Sequence, residues 1–166
     1  FGGHLRQFIV DDKGVVLIAN FGLRGSTYHN MITDRALPAA KVIHDALQSN
    51  LGIENRIGCT LGSAYCGVVG GIYRNEFAVL GPSVNLAARL MGRPENPGIL
   101  VDDSVRMRAG KEFSFNALPP IKAKGYDKLV PIFEPLSSKE RRWGKPKRDF
   151  VGREGEMDMV IDIATD

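Results

Sequence analysis

Val79-Leu-Gly-Pro-Ser-Val-Asn85-Leu-Ala-Ala-Arg89-Leu90 decides the reading of this chain. It sets an asparagine and an arginine four residues apart, where a Gly-Pro turn gives way to a predicted helix over 82–92. Side chains at i and i+4 lie one above the other on a helix face. Asn85 and Arg89 therefore share one stripe, while Val84, Leu86, Ala87, Ala88 and Leu90 supply small and apolar residues for packing. A neutral amide and a permanent cation aimed at one pocket suit the binding of a sugar and the neutralisation of a phosphate in transition.

Working outward, β-rich runs alternate with helical spacing. Leu5–Val10 and Val15–Phe21 flank the turn residues Asp11-Asp-Lys-Gly14 and read as a hairpin. Residues 22–32 form a Gly, Ser, Thr and Asn-rich loop. A helix capped by Thr33 or Asp34 follows, with Ala36, Ala39, Ala40, Ile43 and Leu47 at helical spacing and an end at Asn50-Leu-Gly52. Pro38 is tolerated there if it falls near the first turn. Strands are expected at 56–61, 66–69, 76–80, 98–101, 113–117, 121–124 and 129–134, and Asp102 or Asp103 is placed to cap a further helix. Hairpins mixed with helices, without strict βαβ alternation, argue an α+β class.

Composition excludes several classes. The 166 residues, 43% apolar and 25% charged, suit a soluble globular domain with a short remainder. No apolar run approaches the ~18–20 residues that span a bilayer. The net charge is +3. Its late basic run (Lys139, Arg141, Arg142, Lys145, Lys147, Arg148) has no aromatic platform or recognition fold beside it, so it reads as a solvated linker and not a nucleic-acid site. Cys59 and Cys66 are expected as buried free thiols in an apolar hairpin, and the scattered His4, His29 and His44 lack metal-ligand spacing. Without a secretory signal the chain reads as cytoplasmic.

Three ordered blocks then resemble the class III nucleotidyl cyclases, which make cyclic nucleotides from nucleoside triphosphates. Phe77-Ala-Val-Leu-Gly-Pro-Ser-Val-Asn-Leu-Ala-Ala-Arg-Leu90 is similar to the family's Tyr-Thr-Val-Ile-Gly-x-x-Val-Asn-x-Ala-x-Arg-Leu signature. Arg56-Ile-Gly … Gly67-Val-Val-Gly70 resembles its glycine-bearing hairpin. Ile121-Lys-Ala-Lys-Gly125, followed by Val130-Pro-Ile-Phe133, resembles its closing strand pair. The resemblance covers about residues 1–135 and is strongest to the second catalytic domain of soluble adenylyl cyclases. It implies a ferredoxin-like βαββαβ-type core whose first strand and two helices would precede Phe1. Residues 136–149 then read as a linker. Residues 150–166 resemble the start of a following ATPase-type domain, here without the Gly-x-x-x-x-Gly-Lys-Ser/Thr loop.

The resemblance also assigns roles. Cyclisation is an internal phosphoryl transfer in which the ribose 3′-oxygen attacks the α-phosphorus and pyrophosphate leaves. Asn85 would orient the ribose, Arg89 would stabilise the transition state, and Lys124, with Lys122 close by, would hold the terminal phosphates. Lys13 would reach the adenine. Ala78 stands where the family places a side chain that hydrogen-bonds the base, so that contact is lost and base selection falls to backbone around Val79. ATP is the expected substrate. The family's two metal-binding aspartates are not matched: one would lie before Phe1, and Val15 stands at the other, with Asp11 and Asp12 reading as turn residues. Mg2+ or Mn2+ is therefore expected mainly on a complementary cyclase domain, of the same or another chain. The alternative is a non-catalytic cyclase-like domain that regulates its partner. A guanylyl cyclase and a polymerase-like palm follow at greater distance.

Overall fold

The computed structural model describes residues 1–11, 14–23, 32–93 and 95–138. Lys13, Asp12, the basic run from Lys139 and the 150–166 segment lie outside them. Two short hairpins accompany one larger sheet. β1 (His4–Asp11) and β2 (Gly14–Asn20) pair antiparallel, as the turn chemistry between them predicts, with a register shift between Leu5 and Gln7. β4 (Tyr65–Gly70) and β5 (Asn75–Leu80) form a second antiparallel pair. The two hairpins meet where the Arg6 guanidinium lies 5.8 Å from the centre of the Phe77 ring.

The four-stranded sheet runs β3 (Ile57–Cys59), β6 (Ile99–Asp102), β8 (Val130–Ser138), β7 (Phe113–Ile121). β3 and β6 are parallel and the other pairings antiparallel. β6 is buried along its whole length, as a strand covered on both faces must be. Successive strand residues point to opposite faces. Ile99 and Val101 accordingly join a cluster with Leu37 and Ala40 of α1 (Ile32–Leu51) and Val105 and Ala109 of α3 (Asp103–Ala109). Leu100 joins the other cluster, with Leu86 and Leu90 of α2 (Pro82–Met91) and Ile121, Ala123, Val130 and Ile132. The result is three layers, with α1 and α3 on one face of the sheet and α2 on the other.

Some predicted boundaries move. α1 begins at Ile32, ahead of either predicted cap, which puts Pro38 in its second turn. Proline lacks the amide that would bond the Asp34 carbonyl, and the buried apolar face of α1 (Leu37, Ala39, Ala40) carries the helix through that gap. The separate 121–124 strand is absent. β7 instead continues through Pro119 and Pro120 to Ile121 with a register shift, since two prolines without amides cannot hold a regular ladder. β8 runs on to Ser138. The 56–70 block is not one hairpin, because β3 pairs with β6 and β4 with β5. This separates the two cysteines. Cys59 is half-buried in the main sheet, whereas Cys66 is exposed on the β4–β5 hairpin, contrary to the expectation of two buried thiols.

Candidate active site

The site is organised by α2. Gly81 precedes it in extended conformation, Pro82 occupies its first turn, and the Asn85 amide donates to the Gly81 carbonyl at 3.2 Å. The helix rests on β3 at Gly58, where a Cβ would overlap the Ala87 carbonyl oxygen and lie 2.8 Å from the Met91 backbone nitrogen. Its first turn is tied to the segment after β3: the Thr60 hydroxyl donates to the Ser83 carbonyl at 2.7 Å. Its last turn is held by Asn96, whose buried side-chain amide donates to the Leu90 carbonyl at 3.0 Å and the Ile57 carbonyl at 3.2 Å.

Held this way, α2 directs two stripes apart. Leu86 and Leu90 are fully buried, while Asn85 and Arg89, one residue before each, are exposed. Neither the Asn85 side-chain amide nor the Arg89 guanidinium has a hydrogen-bond or ion-pair partner among the described residues; only the Asn85 backbone amide is bonded, to the Gly81 carbonyl. Both remain open to a ligand. The buried stripe shares its cluster with Ala123, so the segment carrying exposed Lys122 and Lys124 packs through Ala123 onto the core that anchors α2. The Tyr126 amide closes a turn on the Ala123 carbonyl at 3.1 Å and holds that segment in place. Ala78 is buried on β5 opposite Gly67, and Val79 is half-buried opposite Cys66. Both lead directly into α2 through Leu80 and Gly81. Lys13 lies outside the described residues.

A model of the adenylate and guanylate cyclase catalytic domain matches residues 16–133. The chain belongs to that family. This cyclase domain is 31% identical over 155 residues to adenylate cyclase type 10 of Homo sapiens, a match that takes in 92% of this chain and 9% of that protein. It thus spans less than a tenth of the length of the curated relatives it matches. The adenylyl cyclase CyaB from P. aeruginosa superposes with a TM-score of 0.69 at 21% identity, covering 85% of this chain and 74% of that one. The guanylate cyclase domain of RhGC from Catenaria anguillulae, solved in complex with GTP, does so with 0.64 at 22%, covering 78% and 72%. At these identities the likeness speaks for the fold.

The donors offered by the described residues do not suit a divalent metal. Among the described residues no three His, Cys, Asp or Glu side chains gather at one point, and α2 and the 121–125 segment present Arg89, Lys122 and Lys124, which repel cations. The nearest buried acid is Asp102. Its Oδ1 accepts from the Val105 amide at 3.0 Å and caps α3. Burial raises its pKa, opposed by hydrogen bonds from backbone amides. Asp102 in turn adds to the burial that pushes the Cys59 thiol up to about 12 and raises the Tyr126 phenol. These shifts follow from packing and leave Asp102 in a helix-capping role. The sequence reading missed Gly58 and Asn96. A glycine in a strand and an asparagine before Pro-Gly carry no mark of the helix they support, although an isolated strand glycine is a general signal of close backbone approach.

Proposed function

We propose that this cyclase domain supplies the second half of a shared adenylyl cyclase active site, converting ATP to cyclic AMP and pyrophosphate beside a metal-bearing cyclase domain. One observation carries the reading: the Asn85 and Arg89 side chains stand exposed, without a partner among the described residues, on a helix whose buried face shares a core with the segment bearing Lys122 and Lys124. An exposed amide and guanidinium are ordinary on the outer face of a surface helix; what gives this pair its functional reading is that it falls on the Asn and Arg positions of the cyclase signature, in Val84-Asn-Leu-Ala-Ala-Arg-Leu90.

The chemistry follows from these groups. Lys124, with Lys122 close by, engages the terminal phosphates as a point charge. Asn85 fixes the ribose by hydrogen bonding, which brings the 3′-oxygen toward the α-phosphorus and removes the entropic cost of finding that geometry. Arg89 then meets the negative charge that grows on the α-phosphoryl oxygens as the new ester bond forms and the bond to pyrophosphate breaks. By the family resemblance Lys13 is assigned to the adenine together with the backbone near Val79, while Ala78 offers no side-chain hydrogen bond to the base. Metal ligation belongs to the complementary domain, whose Mg2+ or Mn2+ this chain does not hold.

The same reading accounts for the hairpins. Leu5, Phe8, Val10, Val15 and Leu17 are exposed on β1 and β2, Val68, Phe77 and Leu80 on β4 and β5, and Ile72 and Tyr73 stand fully in solvent at the tip between the latter strands. Apolar surface on this scale marks a protein interface, and a second cyclase domain of the same or another chain is its proposed occupant. Among the described residues no helix is long and apolar enough to cross a membrane. A cytoplasmic setting, where ATP is abundant, is part of the proposal.

A second reading, a non-catalytic domain that pairs with and regulates its partner, draws on Ala78 and the unmatched metal ligands. The deciding experiment measures cyclic AMP from ATP, and cyclic GMP from GTP, with manganese, for this chain alone and mixed with its complementary domain. Cyclic AMP formed only by the mixture is the expected result. A mixture that associates, binds nucleotide and turns nothing over overturns the catalytic reading in favour of the regulatory one.

A further inference from the structure

Asn96 lies between the three sequence blocks quoted for the cyclase resemblance and belongs to none of them, yet it is one of few buried polar side chains among the described residues. Its hydrogen bonds join three elements. Nδ2 donates to the Leu90 carbonyl in the last turn of α2 and to the Ile57 carbonyl that opens β3, at 3.0 and 3.2 Å. Oδ1 accepts from the Gly98 amide, just before β6, at 2.9 Å. Both amide protons are used; the Leu90 carbonyl also accepts from the Arg93 amide at 3.4 Å, within its own helix end, whereas the bond from Asn96 is the one that links it to β3 and β6. The Ile57 amide closes the arrangement by donating to the Gly98 carbonyl at 2.7 Å. Leu90 is the residue after Arg89.

We propose that Asn96 is a positioning residue for Arg89. It fixes the end of α2 against β3 and β6, and so sets where the guanidinium stands relative to the reacting phosphate. The inference rests on the proposed function, in which Arg89 acts on transition-state charge. An apolar contact alone lets a helix slide along its neighbour, whereas one side chain bonded at once to the last turn of α2, to β3 and to the approach to β6 ties the end of the helix to the sheet. An error of about 1 Å in a charge stabiliser can cost on the order of a hundredfold in rate.

The test uses the full chain paired with its complementary domain. Asn96→Ala should lower kcat by about ten- to a hundredfold with KM for ATP moved less than about threefold, because the interaction lost acts chiefly in the transition state. Asn96→Asp supplies the readout that a merely structural role would not move. It keeps the acceptor for the Gly98 amide but faces two carbonyl oxygens, which favours the protonated acid, and that form restores one donor. The other charged groups nearby are Arg56, whose Nη1 donates to the Arg93 carbonyl, the surface pair Arg93–Glu95, and His44 of α1, whose ring lies against Gly98. All are present in the native chain too, so they cancel in the ratio of variant to native kcat. That ratio should rise as pH falls from about 8 to about 6 for the aspartate and stay flat for the alanine.

Arg89→Ala is measured alongside. If it loses turnover while Asn96→Ala keeps native kcat, this inference is overturned and the proposed function stands. If Arg89→Ala keeps native turnover, both fall. Should Asn96→Ala fail to fold, the pH ratio of Asn96→Asp decides: a flat ratio overturns the assignment and a rising one supports it.

Discussion

Replacing Gly58 with alanine tests whether α2 is seated by backbone contact. Gly58 does not occupy the left-handed backbone region, so alanine meets no conformational penalty there, and any cost is steric. The added Cβ would overlap the Ala87 carbonyl oxygen and lie 2.8 Å from the Met91 nitrogen and 3.0 Å from the Ala87 carbonyl carbon. All three are backbone atoms that cannot rotate aside, so the helix itself must move. Overpacking of this kind costs about 1–3 kcal/mol, against about 0.4–1 kcal/mol gained by restricting the unfolded chain. The ranges leave a net loss of about 0–2.6 kcal/mol; because the closest atoms are all backbone, the middle of that range, about 1.3 kcal/mol, is the expectation, a fall in Tm of about 3–5 °C for a chain of this length. Outward movement of α2 also carries Arg89 away, so turnover by the paired domains should fall about ten- to a hundredfold. Gly71→Ala is the matched control, since nothing lies within 4 Å of a Cβ at that position. Thermal unfolding by circular dichroism and the cyclic AMP assay give the two readouts. If Gly58→Ala matches Gly71→Ala in both, the account of how α2 is held is wrong.

Three further outcomes follow from the same geometry. Arg89→Ala should reduce kcat about 10²–10³-fold while leaving Tm nearly unchanged, because the side chain is exposed and unpaired; steady-state kinetics beside a melting curve separates the two effects. Burial raises the Asp102 pKa, so the folded state binds that proton more tightly than the unfolded state. The group's contribution is fully present below its unfolded value near ~4 and is lost as pH rises through the folded value. Asp102→Asn keeps a capping acceptor without the charge, so Tm of the variant minus Tm of the native chain should grow more positive from about pH 4 to about pH 7; a constant difference refutes this. Finally, a thiol reagent at about pH 8 should modify exposed Cys66 and spare Cys59, whose thiol is held up to about 12, until denaturant is added. Mass spectrometry of the labelled peptides reads this directly.

Much of this was legible in the chain because the relevant signals are local. The β1–β2 hairpin follows from Asp-Lys-Gly turn chemistry, α2 from Gly-Pro followed by helical spacing, and the α3 cap from an aspartate after a short apolar strand. The Asn85–Arg89 stripe needed only the helical repeat to be seen. What the sequence hid is long-range. Parallel pairing of β3 with β6 joins segments some forty residues apart, and nothing local distinguishes it from a hairpin with β4. The exposure of Cys66 depended on that pairing. The sequence suggests separate strands at 113–117 and 121–124, on either side of Pro119 and Pro120, whereas pairing with β8 carries β7 through both prolines with a register shift. Gly58 and Asn96 stayed silent for a related reason: each acts on an element distant in sequence, and neither residue type declares its partner.

β6 has a consequence for how such a domain tolerates change. Ile99 and Val101 look one way and Leu100 the other, so the strand acts as a partition between two compartments. A loss of volume at Val101 can be compensated by a neighbour on α1 or α3 without disturbing the helix that carries Asn85 and Arg89. A loss at Leu100 has no such outlet, since every residue able to fill it also seats that helix or the Lys122–Lys124 segment. Suppressors of damage on the first side should therefore be plentiful and catalytically silent, and those on the second side rare and accompanied by altered turnover.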